Sequence, residues 1–250
     1  MKKLILLLLL IPSLCLAGSI KVEDGGGNIA YDYIAPVVPP ASLNTTDVTR
    51  GFEADSDPAG WTETDTGAIL DRFDATQAHS GTHSMSVAGA DATVAYYQYA
   101  TGATRAAMSL CFWVWGPSSS GGDASIIVGS ISASIGTHGV RMYWTKKSGV
   151  YYANLRGASL PDPVVSIQPD TWYRWEVLYA QGATSTLNVY NTVGDLQGTV
   201  SLTASDTASQ YIYVGSLAAK NVGFSALYID DIGADWTDST APLWEYTVAN

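Results

Sequence analysis

The sequence predicts an all-β protein, built as a two-sheet antiparallel β-sandwich with jelly-roll topology. Short segments rich in β-branched and aromatic residues recur along the chain, and turn-forming residues separate them. The chain contains 15 Tyr, 8 Trp and 24 Gly, a composition that favours strands and turns over helices. Apolar residues do not recur with the 3.6-residue period of a helix over any stretch long enough to form one. No internal repeat is visible in the sequence.

About a dozen strands are predicted in the region that begins near Gly51. They span residues 68–76, 82–88, 92–100, 106–115, 124–132, 139–145, 150–155, 172–180, 185–190, 197–202, 210–214 and 223–232. Turns between them are indicated by Lys147-Ser148-Gly149 and by Gly194-Asp195. Strands of this length and spacing are typical of a sandwich.

The alternation of residues divides the clearest strand, 172–179, into two faces. One face carries Tyr173, Trp175, Val177 and Tyr179, and the other carries Trp172, Arg174, Glu176 and Leu178. In the segment 110–115, Trp113 and Trp115 share one face, and the opposite face is also apolar. A strand that is apolar on both faces is expected in the middle of a sheet.

The chain is predicted to have four parts: a signal peptide (1–17), a flexible Gly- and Pro-rich linker (18–48), the sandwich (49–237) and a C-terminal tail (238–250). The first part has a basic start, an apolar run and small residues before the expected cleavage near Ala17. The apolar run is too short to span a membrane, and the large Leu14 before Cys15 argues against lipid anchoring. We therefore expect a secreted, extracellular protein.

The net charge of the chain limits the classes of partner that it can bind. The chain has 23 acidic and 12 basic residues, a formal net charge of -11, which argues against binding nucleic acid or anionic membrane surfaces.

After signal removal Cys111 is the only cysteine, so an intramolecular disulfide is excluded. Cys111 lies in an apolar strand and is predicted to be a buried, inert thiol.

Several motifs resemble the concanavalin A-like and laminin G-like class of jelly-roll domains, which includes many carbohydrate-binding modules. They are the Phe-Glu opening within 51–61, the segment 78–87, the hairpin 170–190 and the closing strand 227–235. In order and spacing they cover about residues 49 to 237. The resemblance implies a lectin-like module that binds a polysaccharide or glycan.

A structural calcium site is expected at the two ends of the sandwich. Acidic residues cluster at its start, from Glu53 to Asp57, and at its end, from Asp230 to Asp235. A jelly roll commonly pairs its first and last strands, and calcium binds six to eight oxygen ligands. The resemblance implies Glu53, Asp231 and a backbone carbonyl of Gly81 or Thr82 as ligands. The alternative is an acidic rim in contact with solvent.

Aromatic residues on the central strands are candidates for stacking on sugar rings. We expect Trp144, Tyr151 and Trp175 to contribute to such a site, although alternation sends about half of all strand residues into the core. Because positive charge is scarce, a neutral polysaccharide is the expected ligand.

No catalytic residues are predicted. Related sandwich hydrolases carry an E-x-D-x-E strand, and the nearest approach, Glu53 to Asp57, ends in Asp and runs into Pro58. Lyases of this fold use Tyr with His and basic residues, whereas His79 and His83 are predicted to be surface residues. The leading hypothesis is a non-catalytic carbohydrate- or surface-binding protein. A polysaccharide hydrolase or lyase, and a structural or adhesive envelope or virion protein, remain as alternatives.

Overall fold

The computed structural model describes residues 20–23, 29–33, 48–56, 60–67, 69–88, 94–118, 122–134, 139–156, 164–203, 208–217, 224 and 226–236. Every element of regular secondary structure assigned within these ranges is a β-strand. They are β1 (Ile20–Glu23), β2 (Ile29–Tyr33), β3 (Val48–Arg50), β4 (Trp61–Asp65), β5 (Leu70–Asp74), β6 (Ser84–Ala88), β7 (Ala95–Arg105), β8 (Ala107–Gly116), β9 (Ala124–Ser132), β10 (Val140–Lys147), β11 (Val150–Arg156), β12 (Val164–Ile167), β13 (Thr171–Ala180), β14 (Thr184–Tyr190), β15 (Leu196–Thr203), β16 (Ser209–Ser216) and β17 (Ala226–Asp235). Within the described ranges, no helix is long and apolar enough to cross a membrane.

The chain divides into two compact units, Met1–Leu43 and Asn44–Asn250. In the first unit, β1 and β2 form a two-stranded antiparallel sheet. Part of the segment that we predicted as a flexible linker is therefore extended and paired. The predicted signal peptide and the predicted C-terminal tail lie outside the described residues.

The second unit is a jelly-roll β-sandwich of two antiparallel sheets, which confirms the predicted fold class. The first sheet has the strand order β12-β11-β10-β9-β16-β7-β4. The second sheet has the order β15-β14-β13-β8-β17-β6-β5, and β3 also pairs with β17. Strands distant in sequence are neighbours in both sheets, as in the pairing of β16 with β7 and of β17 with β8.

The core lies between the sheets and is formed by one set of alternating residues from each strand. Trp144 of the first sheet stacks on Trp175 of the second, with ring centroids 6.3 Å apart and an interplanar angle of 15°. Gly116 lies against the Trp144 ring, where a Cβ atom would overlap the indole. Glycine is therefore required at this position by close packing rather than by backbone conformation.

Candidate functional site

The outer face of the second sheet, which points away from the core, carries an unusual set of aromatic and charged side chains. Their positions follow from the strand register, which aligns them in three cross-strand rows. The arginine row is Tyr190, Arg174, Trp113 and Asp230; the glutamate row is Asn188, Glu176, Cys111 and Gly233; the tryptophan row is Trp172, Trp115 and Tyr228. Direct cross-strand neighbours have Cβ atoms about 4.5–5.5 Å apart, so members of one row contact each other.

Three tryptophans on this face are partly exposed. Trp113 and Trp115 point away from the core residues of β8, and Trp172 lies opposite Trp115 on β13. The Tyr228 ring meets the Trp115 ring edge-on, with centroids 5.2 Å apart. Large partly exposed rings that are grouped on one face are typical of a surface that binds a ligand.

Arg174, Glu176 and Tyr190 form a polar cluster beside these rings. Arg174 is 9% exposed and Glu176 is 1% exposed. The Arg174 guanidinium carbon lies 4.4 Å from the Tyr190 ring centroid. Glu176 Oε2 accepts hydrogen bonds from the Tyr190 hydroxyl and from Asn188 Nδ2, each at 3.2 Å. Burial, and then the charge of Glu176, raise the pKa of Tyr190 to about 12, so this phenol stays protonated at neutral pH.

His79 joins the same face through the loop before β6. Its ring stacks on Trp113 with a centroid distance of 3.5 Å and an interplanar angle of 12°. Its edge approaches Trp172 at 5.8 Å, and its Nδ1 lies 2.9 Å from Asp231 Oδ2. The His79 ring is therefore partly covered by aromatic and acidic neighbours, and 23% of its side chain stays exposed.

A bulge in β17 brings two successive acids onto this loop. The register between β17 and β8 shifts between Asp230 and Gly233, and Asp231 has a φ of 48°, which is unfavourable for a residue with a side chain. Asp230 Oδ2 accepts hydrogen bonds from the backbone N–H groups of His79 at 3.0 Å and Ser80 at 3.1 Å. Asp231 Oδ1 accepts the Ser80 hydroxyl at 2.8 Å. The two carboxylates thus fix the orientation of His79.

The three predicted calcium ligands all meet the loop 79–83. Glu53 accepts hydrogen bonds from the backbone N–H groups of Thr82 and His83, each at 3.0 Å. Gly81 approaches the Glu53 carboxylate so closely that a Cβ atom would overlap it. Asp231 contacts the other end of the loop, at His79 and Ser80. The structure therefore brings Glu53, Gly81 and Asp231 to one loop.

The described residues do not form a cluster of three or more His, Cys, Asp or Glu side chains placed to hold a metal. Calcium would therefore depend on backbone carbonyls of the loop in addition to the Glu53 and Asp231 carboxylates. Hydrogen bonds from Thr82 and His83 outweigh the effect of partial burial and hold the pKa of Glu53 below its usual value. Glu53 is thus ionised at neutral pH, as a calcium ligand must be.

The three aromatic residues predicted to stack on sugar lie on the other faces of their strands, towards the core. Trp144 and Trp175 have no exposed surface, and Tyr151 is 7% exposed. A sugar cannot stack on a ring whose faces are covered by protein, so burial contradicts the stacking role of Trp144 and Trp175 and leaves Tyr151 little surface for it. Their rings instead form an aromatic group in the core, in which Trp144 contacts Tyr151 at 6.5 Å and Trp175 at 6.3 Å.

The functional candidates that the sequence prediction did not select are His79, Trp113, Trp172, Arg174 and Tyr190. One signal was present in the sequence: Arg174 and Glu176 alternate with Tyr173, Trp175 and Val177 along β13. The face with the charged residues had to point away from the core, and the tryptophans on that same face were the accessible ones. No local signal linked His79 to Trp113, because that contact depends on the pairing of distant strands.

Comparisons with known proteins support the fold. No protein-family model and no curated protein matches the chain. Among solved structures, the chain is similar to the cellulose-induced protein Cip1, with a TM-score of 0.56 and 18% identity over 76% of this chain and 97% of that one. It is similar to an alginate lyase from Aplysia kurodai, with a TM-score of 0.54 and 10% identity over 77% of this chain and 99% of the other.

A third similar structure is a carbohydrate esterase from a Shiga toxin-encoding bacteriophage. Its TM-score is 0.50 and its identity is 12%, over 76% of this chain and 97% of the esterase chain. At these identities the similarities establish the jelly-roll sandwich and do not transfer a site.

Proposed function

We propose that the chain is a non-catalytic carbohydrate-binding protein of the concanavalin A-like type, with its ligand on the outer face of the second sheet. The observation that carries the proposal is the group of partly exposed rings, Trp113, Trp115 and Trp172, next to the buried polar cluster of Arg174 and Glu176. Sugars present apolar C–H faces to aromatic rings and hydroxyl groups to polar side chains. Names of the similar solved structures include a cellulose-induced protein, an alginate lyase and a carbohydrate esterase, which agrees with a carbohydrate ligand.

A neutral polysaccharide suits the charge of this surface. Arg174 and Glu176 are two residues apart on the same face of β13, so their charges largely cancel. Two acids, Asp230 and Asp231, lie at the β17 end of the arginine row, so this surface carries no excess of positive charge. One Glu176 oxygen, Oε1, is buried without a hydrogen-bond partner. An unsatisfied buried acceptor is costly, and a sugar hydroxyl that reached it would remove that cost.

Binding is tested by affinity electrophoresis through gels that contain neutral polysaccharides such as cellulose derivatives, xylan or mannan. Trp113→Ala and Trp172→Ala are expected to weaken binding by about 1 kcal/mol or more, because each removes an aromatic contact. Tyr211→Ala is the matched control, since Tyr211 is a partly exposed aromatic residue of the other sheet. Absence of retardation by every glycan, or equal losses in all three variants, would contradict the proposal.

A polysaccharide lyase is the second candidate, and one arrangement favours it. Arg174, Tyr190 and the His79–Asp231 pair occupy one face, and elimination at a uronate sugar uses such groups. Arginine would neutralise the uronate carboxylate, and histidine oriented by Asp231 would accept the proton from the carbon beside it. The protonated Tyr190 would then donate a proton to the leaving oxygen as the glycosidic C–O bond breaks.

Enzyme activity is tested by incubating the protein with uronate-containing polysaccharides and measuring both reducing ends and the ultraviolet absorbance of an unsaturated product. Release of unsaturated product that is lost in Tyr190→Phe would place the lyase function first. Release of reducing ends without that absorbance would indicate a hydrolase. A protein that neither binds nor cleaves any glycan would favour a structural or adhesive function.

A structural calcium ion at the loop 79–83 is part of the same proposal. A ligand that binds only the folded state raises stability by about 2.7 kcal/mol at one hundred times its dissociation constant. Excess calcium should therefore raise the melting temperature, and Asp231→Ala should abolish the rise. Identical melting curves in calcium and in chelator would contradict a calcium site.

A further inference from the structure

The four strands that end the two sheets differ in how they are protected from pairing with another chain. An edge strand leaves backbone N–H and C=O groups unpaired, and natural proteins protect such strands with charged residues, proline or short length. The edge strand β4 contains Glu63 and Asp65, and the edge strand β5 contains three charged residues, Asp71, Arg72 and Asp74. The edge strand β12 has only four residues. The fourth edge strand, β15, has none of these three protections.

β15 is a long edge strand without a charge or a proline. Its eight residues are Leu, Gln, Gly, Thr, Val, Ser, Leu and Thr. The register shift between β14 and β15 falls at the start of β15, and the residues Gly198–Thr203 all pair in regular register with β14. In the described part of the chain, no strand pairs with the other side of β15. That side of the strand is therefore open to a further strand.

The side chains of β15 suit pairing with the same strand of a second copy. Thr199, Ser201 and Thr203 are exposed, and they alternate with Val200 and Leu202, which are 2% and 5% exposed in the core. Directly opposite residues of antiparallel strands point to the same face, so the hydroxyl residues of one copy meet the hydroxyl residues of the other. Cross-strand pairs of Thr and Ser are stabilising.

The same pairing avoids contact between like charges. Two copies of a chain with a net charge of -11 repel each other where their acidic surfaces meet. β15 has no charged residue, and neither has its neighbour β14 nor β12, whose Val165 packs against Gly198 of β15. Pairing of β15 with β15 therefore places no two like charges directly opposite each other. An equivalent pairing of β4 or β5 would bring acids of the two copies together.

We propose that β15 pairs in antiparallel orientation with β15 of a second copy, so that the two second sheets join into one continuous sheet. The interface is isologous, because the same strand contributes both sides, and association stops at two copies. The two-fold axis is perpendicular to the joined sheet. The outer faces of the two second sheets therefore lie on the same side of the dimer.

A consequence for glycan binding rests on the function proposed above. The β13 strands of the two copies, which carry Trp172, are five strand spacings apart in the joined sheet, or roughly 24 Å. One polysaccharide chain can reach both sites, and the second contact then raises the apparent affinity for the polymer. The affinity for a short oligosaccharide stays that of a single site.

The test is sedimentation equilibrium of the full chain over a range of concentrations. Ser201→Lys is compared with Thr62→Lys, since Thr62 is an exposed residue of the edge strand β4. Both variants reduce the net negative charge by one, so general repulsion between copies predicts stronger association for both. Pairing of β15 predicts instead that Ser201→Lys raises the dimer dissociation constant by about tenfold or more, because it brings the lysines of two copies into the joined strands. Thr62→Lys should not weaken the dimer.

Amide hydrogen exchange of the wild-type chain gives a second measurement that needs no variant. The amides of β15 should exchange more slowly at high than at low protein concentration, and the amides of β4 should not change. A chain that is monomeric at every concentration would refute the pairing, as would a dimer in which β15 gains no protection or Ser201→Lys has no effect. Growth into larger oligomers would contradict closure at two copies.

The two proposals fail in different ways. A dimer that shows the β15 effects and binds no glycan would support the pairing and refute the glycan site. A protein that binds glycan and stays monomeric would refute the pairing alone. Melting temperatures of both lysine variants show whether the fold is intact, and Thr203→Lys replaces Ser201→Lys where the latter does not fold.

Discussion

Replacing Asp230 with Asn is predicted to change how the stability of the fold depends on pH. The Asp230 side chain is 1% exposed. Its carboxylate accepts three backbone hydrogen bonds, from His79 at 3.0 Å, Ser80 at 3.1 Å and Asp231 at 2.9 Å. Burial, and then the charge of the neighbouring Asp231, nevertheless raise the pKa of Asp230 to about 7 from an ordinary value of 3.8.

The direction of the effect follows from this raised pKa. Protonation of Asp230 stabilises the folded state at low pH, and that contribution is lost as the pH rises through about 7. Between the unfolded and folded values, the free energy of unfolding falls by at most about 1.4 kcal/mol per pH unit. From pH 5 to pH 7 the loss is roughly 2 kcal/mol. Asn resembles the protonated acid, so the variant lacks this loss.

The assay is urea denaturation of wild type and Asp230→Asn at pH values from about 5 to about 8. The stability of the variant relative to wild type should increase by roughly 2 kcal/mol between pH 5 and pH 7 and change little above that. His79→Gln is the control, because it changes the side chain beside Asp231 and keeps Asp230. A stability difference between Asp230→Asn and wild type that stays constant with pH would refute the reasoning.

Three further changes have expected outcomes. Gly81→Ala should lower the melting temperature more than Gly102→Ala, because both glycines have positive φ but only the Cβ at Gly81 would overlap Glu53; equal shifts would contradict that contact. Glu53→Gln should cost roughly 1–3 kcal/mol of unfolding free energy, measured by urea denaturation, since it weakens charge-assisted hydrogen bonds to the 79–83 loop. Cys111 should resist alkylation in the folded protein and react in denaturant, because burial raises the pKa of its thiol to about 12; rapid labelling of the native chain would disprove this burial.

The fold class was predictable because its signals are local. Alternation and turn residues placed the predicted strand 172–180 almost on the observed β13, Thr171–Ala180. Five strands were missed: β1 and β2, within the segment predicted as a linker, β3 and β4, on either side of the acidic opening, and β12, a four-residue edge strand that follows prolines at 161 and 163. Short edge strands have few residues to alternate and lie close to turn signals, so sequence patterns identify them poorly.

The site was less predictable, because a period of two residues defines two faces without showing which one faces the core. Trp175 and Trp172 belong to opposite faces of β13, and the sequence prediction selected the buried ring. Glu53 and Asp231, two of the predicted calcium ligands, both contact the loop that contains the third, Gly81. Secretion and calcium binding stay predictions.

The buried charges on the outer face of the second sheet are themselves an argument for a ligand. A charged pair withdrawn from water costs about as much in desolvation as its attraction returns, and apolar residues of similar volume are often equally or more stable. Arg174 and Glu176 are nevertheless 9% and 1% exposed on a face that does not contribute to the core, where solvent-facing residues could have been placed at little cost. Fold stability alone therefore does not account for them. The ligand proposed to lie across Trp113 and Trp172 would account for them, because groups already oriented and partly desolvated lose less free energy when a sugar covers them.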